Sequence, residues 1–202
     1  KLSSSLNTIS TQAFSASGLT EISIPSSVHK IEMMAFHGCT NLKKVKVGNN
    51  VLTATTEIEE NVFGNCSSLT DVIIGSEVKV IGYEAFINCN NLTNVTLGGN
   101  ISKSTMEIGY EAFANCTSLT YLTLNSEVDV IVDDAFSSCT SLQSVTLQGT
   151  VSSIGERAFE NCSSLKSLVI GDDDISHGTV LNPYAFKGCS SLQNTTLNKS
   201  VI

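Results

Sequence analysis

Seven cysteines are the residues of this chain whose type is best suited to chemistry. They could form the disulfide framework of a secreted protein, but their number is odd and no two are closer than 23 residues, and the CxxC spacing of a zinc site is absent. His37 lies two residues before Cys39 and makes a candidate nucleophile pair with it. Each cysteine follows a phenylalanine by three residues, so we expect buried, unpaired thiols that fill tight turns. The cysteines are Cys39, Cys66, Cys89, Cys116, Cys139, Cys162 and Cys189.

Two acidic clusters offer a second kind of chemistry. Three aspartates occupy 172–174, and Glu57, Glu59 and Glu60 lie close together earlier in the chain. Calcium binds such oxygen-rich segments, but it requires alternating ligands on a shaped loop, and runs of charge are usually solvated. We therefore expect solvated acidic turns, with no metal, no cofactor and no catalytic activity.

The charge balance limits the partners. Eleven basic residues face nineteen acidic ones, for a net charge of −8. Nucleic acid and anionic membrane surfaces are disfavoured, because both require a basic surface. No apolar run approaches eighteen residues, so we expect no direct membrane insertion by this segment.

The element that positions these side chains is a repeat. Successive phenylalanines are 22, 27, 23, 27, 23, 23 and 27 residues apart. A period of this size is typical of a solenoid, in which stacked coils share one continuous core. The phenylalanines are Phe14, Phe36, Phe63, Phe86, Phe113, Phe136, Phe159 and Phe186.

Aligned on phenylalanine, each unit reads IxxxAFxxCxxLxxVxL. The alternating tail LxxVxL predicts a short strand, and the strands of successive coils predict one parallel β-sheet on one face. The AFxxC part predicts one or two turns of α or 3₁₀ helix on the other side. The longer repeats carry a four-residue insertion at one register, which predicts protruding turns at 48–57, 98–107 and 171–180. The expected fold is an α/β solenoid with alternating shorter (22–23) and longer (27) repeats.

The repeat resembles the BspA-like, Treponema pallidum-type leucine-rich repeat, whose pattern is close to LxxIxIPxxVxxIGxxAFxxCxxL. The segments that carry the resemblance include ISIPSSVHKIEMMAFHGCTNL, VKVIGYEAFINCNNL and VSSIGERAFENCSSL, and it covers nearly the whole chain. It implies a right-handed, curved coil. It also implies an extracellular or cell-surface protein that mediates adhesion to host extracellular-matrix proteins or other cells. The family offers no catalytic motif to carry over.

The residues left free by the repeat are the two outward positions of each strand, and we take them as the candidate ligand face for a protein or glycoprotein. Ile73, Tyr121 and Val169 expose apolar area there, and tyrosine is a favoured interface anchor. The edge formed by the long turns is the alternative ligand site. The pairs are Glu21 and Ser23, Lys44 and Lys46, Asp71 and Ile73, Asn94 and Thr96, Tyr121 and Thr123, Ser144 and Thr146, Ser167 and Val169, and Asn194 and Thr196.

The expected organisation is a single solenoid of about eight repeats over 1–202 that belongs to a longer array. The first repeat begins near Ile9, Val201 holds the register at which another repeat would begin, and neither end shows a polar capping repeat. We expect a monomer, with end-to-end packing through uncapped ends as an option, and with the secretion signal and anchor outside this segment. The alternative to a ligand-binding role is a structural spacer within a larger surface protein.

Overall fold

The computed structural model describes residues 2–48, 55–98, 106–124, 128–147, 151–171 and 178–197. The chain forms eight stacked coils, and each coil contributes one strand to each of two parallel eight-stranded sheets. The first sheet contains β1 Thr8–Ile9, β3 Lys30–Ile31, β5 Thr56–Ile58, β7 Val78–Ile81, β9 Met106–Ile108, β11 Val128–Ile131, β13 Ser153–Ile154 and β15 Val180–Leu181. The second contains β2 Glu21–Ile24, β4 Lys44–Val47, β6 Asp71–Ile74, β8 Asn94–Leu97, β10 Tyr121–Leu124, β12 Ser144–Leu147, β14 Ser167–Ile170 and β16 Asn194–Leu197.

Equivalent residues of neighbouring coils pair directly. In the second sheet Val45 pairs with Ile22 on one side and with Val72 on the other, so side chains of one register stack in columns. Neighbouring strands can be parallel because the rest of each coil brings the chain back to the end of the sheet where the next strand begins. The predicted parallel solenoid is confirmed.

The core is built from the repeated apolar columns. Six of the eight phenylalanines, Phe36 to Phe159 in the repeat, are fully buried, and neighbouring rings stack at 5.0 to 5.2 Å between centroids. The interplanar angles are 1 to 12°. Each ring is therefore covered by the coils before and after it, as the solenoid interpretation requires.

The sequence pattern predicted one sheet, and this prediction is wrong because the structure has two. The segment before each phenylalanine, expected to be extended, pairs with its neighbours and forms the first sheet. Ile31 of β3 pairs with Ile9 and with Ile58. Segments of two to four residues per coil are too short to show clear period-two alternation, so no sequence pattern indicated that they pair.

The prediction of α or 3₁₀ turns at AFxxC is also wrong: the described residues contain no helix. In every coil the residues two before and two after the phenylalanine have positive φ, for example Met34 at 57° and Gly38 at 67°. Two left-handed residues four positions apart cannot belong to one right-handed helix. The segment is a series of turns instead.

Those turns bond across the stack. The amide of Phe36 donates to the carbonyl oxygen of Val62 in the next coil at 2.9 Å, and Phe63 donates in the same way to Ala85 at 2.8 Å. A helix would have directed these amides back along its own chain. The turns around the phenylalanines thus have their own ladder of inter-coil hydrogen bonds, separate from those of the two sheets.

The predicted protruding turns fall mostly outside the described residues. Of 48–57, 98–107 and 171–180, the structure describes Gly48, 55–57, Gly98, 106–107, Gly171 and 178–180. The acidic run at 172–174 and Val201 also lie outside the described part of the chain.

Candidate functional site

The candidate ligand face is the outer side of the second sheet. All sixteen predicted outward side chains are exposed or half-buried, whereas the residues between them are buried or half-buried in every strand except β16; Val45 and Leu122 are examples. Parallel pairing without register shift arranges the outward residues in two columns. The first column is Glu21, Lys44, Asp71, Asn94, Tyr121, Ser144, Ser167 and Asn194; the second is Ser23, Lys46, Ile73, Thr96, Thr123, Thr146, Val169 and Thr196.

The N-terminal part of this face contains a shallow depression of about 540 Å³. Its lining combines charge with apolar surface, and Ile73, which is 46% exposed, lies on its rim. A volume of this size lies within the range of ligand sites, which is roughly 300 to 1,000 Å³. The lining residues are Glu21, Ile22, Ser23, Lys44, Val45, Lys46, Asp71 and Ile73.

Asp71 is a fixed negative charge in this depression. Its carboxylate accepts hydrogen bonds from Thr70 Oγ1 at 2.7 Å and from Asn94 Nδ2 at 2.9 Å. These two bonds hold the pKa of Asp71 below its usual range, although burial opposes them; the nearby Lys44 ammonium adds a smaller lowering effect. Asp71 is therefore ionised and oriented at neutral pH.

The face is interrupted at its centre. β8 and β10 pair only at Leu97 and Leu124, whereas the flanking strand pairs are in register over all four residues. Tyr121, which pairs with Ser144 of β12 but not with β8, is 63% exposed, the highest exposure among the large apolar side chains of the described residues. The second sheet thus consists of two four-stranded parts with an exposed tyrosine at their boundary.

The cysteines form a buried column, as predicted. All seven lie in the described part of the chain and are free thiols; six are buried and Cys189 is half-buried. Burial raises the pKa of Cys66 and Cys139 to about 12, and burial raises the pKa of Cys89 and Cys116 well above the usual range. Reactive cysteines need the opposite shift.

His37 and Cys39 do not form the candidate nucleophile pair, because each side chain hydrogen-bonds to a different partner. The Cys39 thiol donates to the carbonyl oxygen of Phe14 at 3.1 Å, and the His37 ring nitrogen contacts Asn65 Nδ2 at 2.9 Å. Cys39 is fully buried. Its contacts are those of a structural thiol.

The acidic residues near Glu57 form salt bridges and turn contacts. Glu59 pairs with Lys30 at 2.7 Å and accepts a hydrogen bond from the amide of Met33 at 3.0 Å. Among the described residues, no group of three or more His, Cys, Asp or Glu is arranged to hold a metal ion. The same residues include no helix long and apolar enough to cross a membrane.

One exposed aromatic pair was missed from the sequence. Tyr83 and Tyr110 stack at 5.3 Å between ring centroids and 8° between planes, on the edge where the first sheet meets the phenylalanine turns. They occupy the same register in adjacent coils, within the repeated sequence IGYEAF at 81–86 and 108–113. A tyrosine repeated at an outward position of adjacent coils could have predicted this stacked pair from the sequence.

Two parallel sheets wound from short repeats, with a constant core and an open polar face, define a leucine-rich-repeat solenoid, a class that typically binds or scaffolds rather than catalyses. The family model described as "BspA type Leucine rich repeat region" matches six copies, over residues 1–93, 56–179 and 106–202. The chain belongs to the BspA-type leucine-rich repeat family, whose members generally take part in protein–protein interaction.

Solved structures agree. A leucine-rich repeat protein from Bacteroides ovatus is 26% identical with a TM-score of 0.69, and the match covers 98% of this chain and 47% of that one. The T. pallidum leucine-rich repeat protein is 27% identical with a TM-score of 0.61, over 77% and 70%. The pneumococcal vaccine antigen PcpA shares the fold at 21% identity and a TM-score of 0.63, over 97% and 57%. The chain thus spans about half the length of the Bacteroides protein. No curated protein matches the sequence.

Proposed function

We propose that this chain is the protein-binding segment of a secreted or cell-surface protein and that its ligand lies along the outer face of the second sheet. The observation that carries the proposal is the contrast between the two sides of each strand. The inward positions are almost all Val, Ile or Leu, whereas the outward positions differ in charge, size and polarity from coil to coil. Variation confined to the solvent side is what a repeat protein needs to specify a partner without disturbing its core.

Two exposed apolar side chains serve as anchors. Tyr121 stands at the boundary between β8 and β10, and Ile73 lies on the rim of the depression. Hydrophobic and aromatic side chains surrounded by polar groups are typical of the energetic centre of an interface. Lys44, Lys46 and Asp71 supply charge that orients a partner. The turns at 48–57, 98–107 and 171–180 are the alternative ligand edge.

The partner we infer is a protein or glycoprotein, with host extracellular-matrix proteins as the first candidates. Membership in the BspA-type family supports protein binding, and the net charge of −8 supports a partner other than nucleic acid. The surface or extracellular location is part of the same proposal.

The test is a binding screen of the chain against immobilised extracellular-matrix and plasma proteins, followed by substitution. The double variant Tyr121→Asp with Ile73→Asp should weaken binding to the partner found by about tenfold or more. Tyr184→Asp, which alters an exposed tyrosine outside both the second sheet and the long turns, is the matched control and should leave affinity unchanged. Circular dichroism checks that each variant is folded. Unchanged affinity in the double variant would remove the sheet face from consideration.

A structural spacer is the competing outcome. It predicts that the screen finds no partner and that sedimentation shows end-to-end association of the chain. Detection of a partner whose binding tracks Tyr121 and Ile73 excludes that outcome.

A further inference from the structure

The exposed pair of Tyr83 and Tyr110 lies away from the second sheet and is built into the coils. Each tyrosine follows a glycine, and a Cβ placed on Gly82 or Gly109 would lie 2.7 Å from a carbonyl oxygen of the preceding coil. Glycine therefore permits the close approach of the coils immediately before both tyrosines. The rings are 45% and 36% exposed although they stack on each other.

Carboxylates surround the pair. Glu60 and Asp133 hold the same register one coil before Tyr83 and one coil after Tyr110, and both are exposed. The tyrosine hydroxyls hydrogen-bond to Glu84 and Glu111. In the described part of the chain, no lysine or arginine forms a salt bridge with Glu84 or Glu111. The ring faces and edges are thus accessible within an acidic border.

The phenols remain neutral over the physiological range. The hydrogen bond to Glu111, reinforced by burial and by nearby carboxylates, raises the pKa of Tyr110 to about 12, and the bond to Glu84 raises the pKa of Tyr83. A neutral, electron-rich ring next to carboxylates attracts cations through its face.

The same protein shows how a cation fits such a site. The ammonium of Lys187 lies 5.5 Å from the centroid of the Tyr184 ring and 2.7 Å from Glu160 Oε1, and Glu160 belongs to the coil before Tyr184. One lysine thereby contacts an aromatic face and a carboxylate of the neighbouring coil. Tyr83 also has a carboxylate in the coil before it, although Glu60 holds the register of Tyr83 itself, whereas Glu160 holds the register of Lys187.

We propose that the Tyr83–Tyr110 pair and its carboxylates form a second interaction surface, which binds a lysine- or arginine-bearing segment of a partner protein. The cation lies on the face of Tyr83 that Tyr110 does not cover, and Glu60 pairs with it. A second basic residue of the segment occupies the equivalent place between Tyr110 and Asp133. The carboxylates favour a basic segment through charge complementarity. Contact with the tyrosine rings makes this binding specific, unlike the attraction of any cation by the overall negative charge.

The probe is a fluorescein-labelled peptide of alternating glycine and arginine, and the measurement is fluorescence anisotropy at about 0.15 M salt, where charges beyond roughly 8 Å are screened. The variant Tyr83→Ser with Tyr110→Ser keeps all the carboxylates and should bind the peptide about five- to thirtyfold more weakly than the parent chain. The variant Tyr83→Phe with Tyr110→Phe keeps the rings and should retain most of the affinity.

Tyr121→Ser, at a more exposed tyrosine on the second sheet, is the matched control and should bind as the parent does. Affinity of the double serine variant within about twofold of the parent would overturn the proposal, because the peptide would then bind general negative charge alone. Failure of the parent chain to bind the peptide would also overturn it. The pair Tyr121→Asp with Ile73→Asp should leave peptide binding intact, so this surface and the sheet-face proposal stand or fall separately.

Discussion

The thiol of Cys116 donates a hydrogen bond to the backbone carbonyl oxygen of Phe86, one coil earlier, at 3.4 Å between sulfur and oxygen. The same bond recurs for every cysteine, from Cys39 with Phe14 to Cys189 with Phe159, at 3.1 to 3.4 Å. Each thiol thus satisfies a buried carbonyl group that faces it from the neighbouring coil. Cysteine suits the position because it is small and apolar enough for the core and its thiol can also donate a hydrogen bond to that carbonyl group.

Alkaline pH should destabilise the protein through these thiols. Burial raises the pKa of Cys66, Cys89, Cys116 and Cys139 in the fold above the unfolded value of about 9, so their stabilising contribution is complete below pH 9 and is lost as the pH rises toward about 12. Each of these four thiols should cost about 1 kcal/mol of unfolding free energy between pH 9 and pH 10. Urea denaturation at pH 7, 9 and 10 measures the loss.

The matched variant is Cys66→Ala with Cys139→Ala. It should be less stable at pH 7, because two cavities and two hydrogen bonds change, but its decline from pH 9 to pH 10 should be shallower by about 2 kcal/mol. A decline as steep as that of the parent would show that other groups control the alkaline transition.

Ser138→Asn should stabilise the protein by about 0.5 to 1 kcal/mol. Ser138 has a φ of 60°, a conformation that asparagine tolerates better than serine. In the preceding coils Asn115 Nδ2 donates to Asn88 Oδ1 at 3.0 Å, and an asparagine at 138 would extend this amide column. The urea midpoint is the measurement.

The control for this gain is Thr140→Asn, an exposed position two residues further on. It has neither the left-handed backbone nor the amide neighbour and should change the midpoint little. A midpoint for Ser138→Asn at or below that of the parent contradicts the proposed amide column.

Phe113→Ala should cost about 3 to 5 kcal/mol of unfolding free energy, because the ring is fully buried between Phe86 and Phe136. Phe186→Ala should cost less than half as much, since that ring is only partly buried and its one described stacking partner is Phe159. Urea denaturation compares the two. If Phe113→Ala does not fold, Phe113→Leu supplies the measurement, and equal costs at the two positions would contradict the stacked core.

Thr56→Val should cost about 1 to 3 kcal/mol, although valine has nearly the same shape. Thr56 is 1% exposed, and its hydroxyl donates to the carbonyl oxygen of Val28 at 2.8 Å. Removing the donor leaves that acceptor without its partner. Thr55→Val, at the exposed neighbouring position, should have little effect on thermal unfolding. Equal melting temperatures for both variants would show that the Val28 carbonyl has another partner.

The parts of the fold that the sequence predicted are those set by buried side chains. The columns of Phe36, Cys39 and Leu42 repeat without ambiguity, and all three residues are fully buried. Core position depends on apolar character alone, so a single sequence is enough to read it.

The backbone of the turns could not be read in the same way. The residue two before each phenylalanine has positive φ whether it is Met34, Glu84, Arg157 or Tyr184, and none of these types indicates a left-handed conformation. The inter-coil hydrogen bonds impose that conformation. The position two after the phenylalanine carried a partial signal, because it holds glycine or asparagine in six of the eight coils.

The candidate ligand face was also predictable only in part. The outward placement of Lys44, Ile73 and Tyr121 followed from strand alternation and is confirmed, whereas their role in binding stays a prediction. The reduced pairing between β8 and β10 depends on how two coils approach each other, which no local pattern encodes.

The amide of Phe36 donates to the coil after it, and Phe63 repeats the same bond one coil further along. Every coil therefore offers donors on one side and matching acceptors on the other. A coil is an interchangeable unit in this respect, and recombination between equivalent codons of two repeats would preserve each junction. Such exchanges would replace the outward residues of one strand, while the hydrogen bonds to the coils before and after it would still form. The array can in this way acquire new surface chemistry at the level of the gene without the invention of a new core.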